Sequence, residues 1–199
     1  MLILTSSASK VADQLKKKIG SVGKTLFVKT AAEVYPGNPD WLEADRQAVY
    51  KFSNSVTDYS FDQKIVGEVE ADFDKVDCIF LAGGNIFYLL DKIRESKSEG
   101  ILLKMVKEKI VIGSSAGSVV FCNNLDPIKF FDDPSVSSRL DKYKGLGLFD
   151  FLLVPHCNQE EGNSELIDLI KYNFSKCNQQ LILLGDSNYI IYNQSLEFY

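Results

Sequence analysis

The sequence is poor in several residue types, and the scarcest is histidine: 199 residues contain one, His156. Any mechanism that needs an imidazole base must therefore run through His156. The four cysteines, Cys78, Cys122, Cys157 and Cys177, show no Cys-x-x-Cys spacing and no histidine cluster, which excludes the usual zinc patterns and reads as reduced thiols. Cys157 adjoins His156, but neighbouring side chains of an extended segment point to opposite sides and do not form a ligand pair. No metal and no cofactor is expected. Charge of one sign is not concentrated: 22 Lys and Arg stand against 27 Asp and Glu, a net charge of −5, with the basic residues scattered. That argues against a nucleic-acid partner. No apolar run approaches the roughly 20 residues of a membrane span, and Met1-Leu2-Ile3-Leu4-Thr5 is too short for a signal-peptide core. The expectation is a soluble, cytoplasmic, single-domain protein over residues 1–199, its 45% hydrophobic content sufficient for a full core. A monomer and a homodimer remain equally open.

What is present centres on residues 109–120, Lys-Ile-Val-Ile-Gly-Ser-Ser-Ala-Gly-Ser-Val-Val. The apolar run suits a central parallel strand buried on both faces, and the Gly-x-Ser-x-Gly that follows has the form of a nucleophile elbow. Small residues are required there because a strand turning back into a helix brings two backbones together. Ser115 occupies the apex, beside helix N–H groups able to hold an oxyanion. An ordinary small-residue turn would look the same locally. A serine nucleophile also needs a base, and only His156 is available.

The rest of the chain alternates strands and helices. Residues 9–19 carry Val11, Leu15 and Ile19 at helical spacing, and residues 25–29 read as a strand. Pro36, Gly37 and Pro39 make 33–40 a loop, after which Asp40 is placed to cap a helix running from Trp41 towards Phe52. A short strand is expected at 55–59, and a helix or connection at 64–74. Residues 76–81 are a buried strand running into Ala82-Gly83-Gly84-Asn85, where Gly84 can supply a second oxyanion N–H beside that of Ala116. Helices are expected from Phe87 to Ile93 and over 99–108. Residues 123–147 are rich in loop, and 149–156 form a strand ending in His156. An amphipathic helix at 165–174 precedes a buried strand, turn and return strand over 180–191. This order implies an α/β fold, a mostly parallel central sheet with helices on both faces.

Three segments, Leu81-Ala82-Gly83-Gly84-Asn85-Ile86-Phe87, Ile112-Gly113-Ser114-Ser115-Ala116-Gly117-Ser118, and Gly145-Leu146-Gly147-Leu148 leading to Val154-Pro155-His156, resemble the peptidase E (aspartyl dipeptidase) family, to which cyanophycinase is related. The resemblance implies an α/β/α sandwich like that of class I glutamine amidotransferases, with serine as nucleophile. It also implies a serine peptidase of the dipeptidase type, acting on a small peptide through a Ser-His-acid triad and an acyl-enzyme. The position matching the family's acid is Asp186, where peptidase E itself looks to have glutamate; Asp126, Glu160 and Glu161 are the competing acids. The family's preference for an N-terminal aspartate implies a positive group in the pocket, for which Arg139, Lys129 and Lys142 are candidates, with Asn85 as a further substrate contact. An α/β-hydrolase-like esterase, which would take its acid from Asp126, Asp132 or Asp133, and a catalytically silent binding domain on the same scaffold are the alternatives.

Overall fold

The computed structural model describes residues 1–157 and 164–199. It begins with β1 (Leu2–Thr5), a four-residue strand with every side chain buried. Around it lies a seven-stranded sheet of order β3-β2-β4-β5-β1-β8-β9. Here β2 is Val22–Val28, β3 Ser53–Tyr59, β4 Cys78–Leu81, β5 Ile110–Ser114, β8 Tyr189–Tyr192 and β9 Leu196–Phe198. The five strands from β3 to β1 pair in parallel, and β8 and β9 extend the sheet antiparallel.

Strand alternation divides the core. Leu2, Leu4, Ile79, Leu81 and Val111 face one side, while Ile3, Phe27, Phe80 and Ile112 face the other. The first face is covered by α3 (Val66–Asp74), α4 (Ile86–Glu95) and α5 (Glu99–Glu108), through Phe73, Phe87, Leu90 and Met105. The second is covered by α1 (Ala8–Ile19) and α2 (Asp40–Tyr50), through Val11, Leu15, Leu42 and Val49. Phe27 and Phe80, opposite each other on adjacent strands, stack with centroids 5.1 Å apart. Each such fully buried side chain contributes about 1.5–3 kcal/mol relative to exposure.

The carboxyl ends of the parallel strands are level. Thr5 pairs with Ser114 and Leu81 with Gly113, so Ser6, Ser115 and the Gly83-Gly84 turn emerge side by side at one edge. Open parallel sheets bind ligands at this edge.

The structure corrects several expectations. The strand at 149–156 shrinks to β6 (Leu152–Val154), which lies outside the main sheet. It pairs in parallel with β7 (Leu181–Leu183) as a separate two-stranded unit, because β8 occupies the open edge of β1. β7 is therefore no buried partner of a return strand: Leu183 is 52% exposed, and β8 belongs to the main sheet. Residues 165–174 give α7 (Ser164–Tyr172), continued by a π-turn at Asn173–Cys177. Asp40 is the first residue of α2, not its cap. No helix among the described residues is long and apolar enough to cross a membrane.

Candidate active site

The elbow is tightly built. Ser115 has φ +49°, a conformation costly for a residue with a Cβ, and the glycines around it are sterically required. A Cβ on Gly113 would lie 2.4 Å from the carbonyl oxygen of Gly117, and one on Gly117 would lie 2.0 Å from that of Leu81. The following helix, α6 (Ala116–Val119), is a single turn. Its contribution is therefore the N–H of Ala116 itself, not the summed dipole of a long helix.

Across from the elbow, Nε2 of His156 is 3.0 Å from the Ser115 hydroxyl, and Nδ1 is 2.8 Å from Oδ1 of Asp186. A carboxylate only accepts, so Nδ1 carries the proton and Nε2 is left to accept from Ser115. His156 also has positive φ, +61°, as the chain turns out of β6.

Sequence reasoning missed Ser6. Its fully buried hydroxyl donates to Oδ1 of Asp186 at 2.5 Å and accepts the main-chain N–H of His156 at 2.7 Å. Ser6 follows directly on β1, so it ties the two residues borne by the β6-β7 unit to the sheet that bears Ser115. The one available signal was its place at the end of a buried strand, shared with many ordinary serines.

Ser6, Ser115 and His156 border a cavity of about 430 Å³ whose wall also includes Tyr35, Trp41, Gly83, Gly84, Ala116 and Phe131. Gly84, at φ +133°, approaches the backbone so closely that a Cβ would lie 2.2 Å from the Ala31 carbonyl oxygen. Asp45 and Asp132 also lie in the wall. Burial pushes both carboxyls up to about 6, against the pull of the Ser114 hydroxyl and Ser9 amide on Asp45 and of the Ile86 amide on Asp132.

Other expected contacts are engaged elsewhere. Asn85, almost fully buried, caps α4 by accepting from the amides of Phe87 and Tyr88, and its Nδ2 donates to the Asp133 carbonyl. Arg139 is bound to Asp91 and Glu95. Lys129 pairs with Asp126 and lies over the Tyr172 ring. Among the described residues neither Lys129 nor Lys142 lines the cavity. Asp126 accepts from the Tyr172 hydroxyl, and Asp133 from Ser135, so neither is hydrogen-bonded to the imidazole. Glu160 and Glu161 lie outside the described residues.

A mostly parallel α/β sheet with a strained serine at its carboxyl edge, facing a histidine, has the layout of a hydrolase. The sequence profile described as Peptidase family S51 matches residues 2–196. An uncharacterized peptidase of Listeria innocua is 31% identical over 160 residues, covering 79% of this chain and 76% of that protein. An uncharacterized peptidase of Listeria monocytogenes is 30% identical over 160 residues, covering 79% and 78%. The chain belongs to peptidase family S51 and is a serine peptidase. Its fold matches the crystal structure of a Listeria monocytogenes EGD-e protein described as peptidase E, with a TM-score of 0.87 at 24% identity over 100% of this chain and 96% of that one.

Proposed function

We propose that this peptidase is an exopeptidase of the dipeptidase type, with Ser115 as nucleophile, His156 as general base and acid, and Asp186 as the residue that orients the imidazole. The observation that carries the reading is the hydrogen-bonded chain from Ser115 through His156 to Asp186, with Ser115 and His156 in the wall of the cavity. The volume of about 430 Å³ suits a small ligand rather than an extended polypeptide.

In the reaction, Nε2 of His156 takes the Ser115 proton as Oγ attacks the scissile carbonyl carbon. The carbonyl oxygen becomes an oxyanion held by the N–H groups of Ala116 and Gly84. Collapse breaks the C–N bond, and the imidazolium returns its proton to the departing amine. Water, deprotonated by the same nitrogen, attacks the acyl-enzyme and releases the acid and free Ser115. Asp186 accepts from Nδ1 throughout, fixing the tautomer and stabilising the imidazolium.

The test is hydrolysis of a panel of dipeptides and aminoacyl anilides by the wild type and by Ser115→Ala, together with labelling by a fluorophosphonate. Turnover lost in Ser115→Ala, and labelling lost in both Ser115→Ala and His156→Gln, is the expected result. A folded protein that neither cleaves nor labels would reject the reading.

A further inference from the structure

The first turn of α1 is capped from a distance. Ser7, the residue before the helix, makes no capping bond to it. Instead the Ala8 N–H donates to the Ser114 hydroxyl oxygen at 3.2 Å, and the Ser9 N–H donates to Oδ1 of Asp45 at 3.1 Å. Two successive amides that helix geometry leaves open are thus satisfied by side chains 106 and 36 residues away in the chain. Because the Ser114 oxygen accepts from Ala8, its own proton is free to donate, and the Asp45 carboxylate receives it. Ala8, Ser114, Asp45 and Ser9 therefore form one closed set of hydrogen bonds joining α1, the elbow and α2.

This set meets the active site from two sides. Ser114 directly precedes Ser115, whose φ of +49° has to be imposed by its surroundings. Ser6, two residues before Ala8, holds His156 and Asp186. The short stretch from Ser6 to Ser9 thus lies between the nucleophile and the imidazole, and Asp45 fixes its helical end. As a purely structural group the carboxylate is a poor choice. It is only 4% exposed, on the buried stripe of α2, and among the described residues it forms no ion pair with Lys or Arg. An apolar residue would pack there without burying an uncompensated charge. What the carboxylate adds is an acceptor for Ser114 and Ser9.

We propose that Asp45 is a positioning residue of the peptidase site: acting through Ser114, it holds the elbow and the start of α1 in the register that brings Ser115 to His156. This rests on the peptidase reading above and adds a residue to its machinery. A rival role, in which the Asp45 charge acts directly on His156, is separated by Ser114→Ala, which removes the link and keeps the charge.

The experiment measures kcat and KM for wild type, Asp45→Asn, Ser114→Ala and the double variant. The rate of fluorophosphonate labelling at Ser115 gives a second reading of the nucleophile, and thermal denaturation at pH 8 reports folding. In Asp45→Asn the amide oxygen can still accept from Ser9, but the N–H₂ group cannot accept from Ser114. Each single variant should lose about tenfold in kcat, the scale of a hydrogen bond to a charged group, with KM little changed and labelling slowed in step. The double variant should be no slower than the slower single one, because both substitutions break the same link. Asp45→Asn should lose rate while gaining Tm, which a merely structural carboxylate would not do. An unchanged kcat in Asp45→Asn, a slow Asp45→Asn beside a full-rate Ser114→Ala, losses that multiply in the double variant, or an Asp45→Asn that unfolds or falls in Tm overturns the proposal. A wild type that labels and cleaves beside variants of full rate rejects this inference alone. A wild type that neither labels nor cleaves rejects the peptidase reading with it.

Discussion

Ser6 donates its hydroxyl proton to Asp186, and the same oxygen receives the main-chain N–H of His156. One buried atom thus joins the acid and the imidazole-bearing residue of the β6-β7 unit to the end of β1, whose register with β5 fixes the place of Ser115. Ser6→Ala removes the tie without removing a reacting group. We expect kcat to fall by roughly 10- to 100-fold, the worth of a hydrogen bond to a charged partner, with KM little changed. Steady-state kinetics on the folded variant checks this, and an equal loss in KM would count against a positioning role.

Asp186 and Asp126 separate two triad orders. Asp186 lies 2.8 Å from Nδ1 of His156, while Asp126 is bound by the Tyr172 hydroxyl. Asp186→Asn should lower kcat by roughly 10³- to 10⁴-fold, the scale for an imidazole held in the wrong tautomer. Asp126→Asn should leave kcat/KM within about threefold, since a change remote from the reacting groups usually perturbs by tenths of a kcal/mol. The reverse ranking would favour an acid lying between serine and histidine in the chain.

Gly84 is fixed by space as well as by φ, because any Cβ meets the Ala31 carbonyl. Gly84→Ala should destabilise the fold by about 1–3 kcal/mol, the cost of forcing a side chain into a glycine-only conformation. It should also reduce kcat by displacing the proposed oxyanion donor. Thermal denaturation and single-turnover kinetics measure the two effects separately.

Asp45 makes a prediction about pH. Its folded pKa, raised to about 6 by burial, exceeds the ordinary aspartate value of 3.8, so between these values the folded chain binds more protons than the unfolded one. Stability therefore decreases as pH rises from about 4 through 6. Asp45→Asn, whose Oδ1 can still accept from Ser9, should raise Tm at pH 8, by about 1–3 kcal/mol of stability, and give no such gain at pH 4. A gain independent of pH would refute the assignment to this carboxyl.

Much of this arrangement is legible in the residues themselves. The mainly apolar strands at Leu2–Thr5, Cys78–Leu81 and Ile110–Ser114 require burial on both faces, and the glycines at 113 and 117 require a close-packed turn, so the parallel core and the elbow are local consequences of side-chain type. The single histidine leaves one choice of imidazole. Asp45 was also within reach of sequence reasoning, since it shares the buried stripe of Leu42, Ala48 and Val49, an unusual place for a carboxylate.

What only the tertiary structure decided is which polar groups meet. Ser6 joins His156 and Asp186 across 150 and 180 residues. Arg139 is drawn to Asp91 and Glu95 instead of the cavity, and Asn85 is consumed as a helix cap. Apolar periodicity specifies which side of a strand or helix is buried, because burial depends on the local face. Hydrogen-bond and ion-pair partners depend on the packing of whole elements. The split of β6 and β7 from the main sheet follows the same rule, since it depends on β8 reaching the edge of β1.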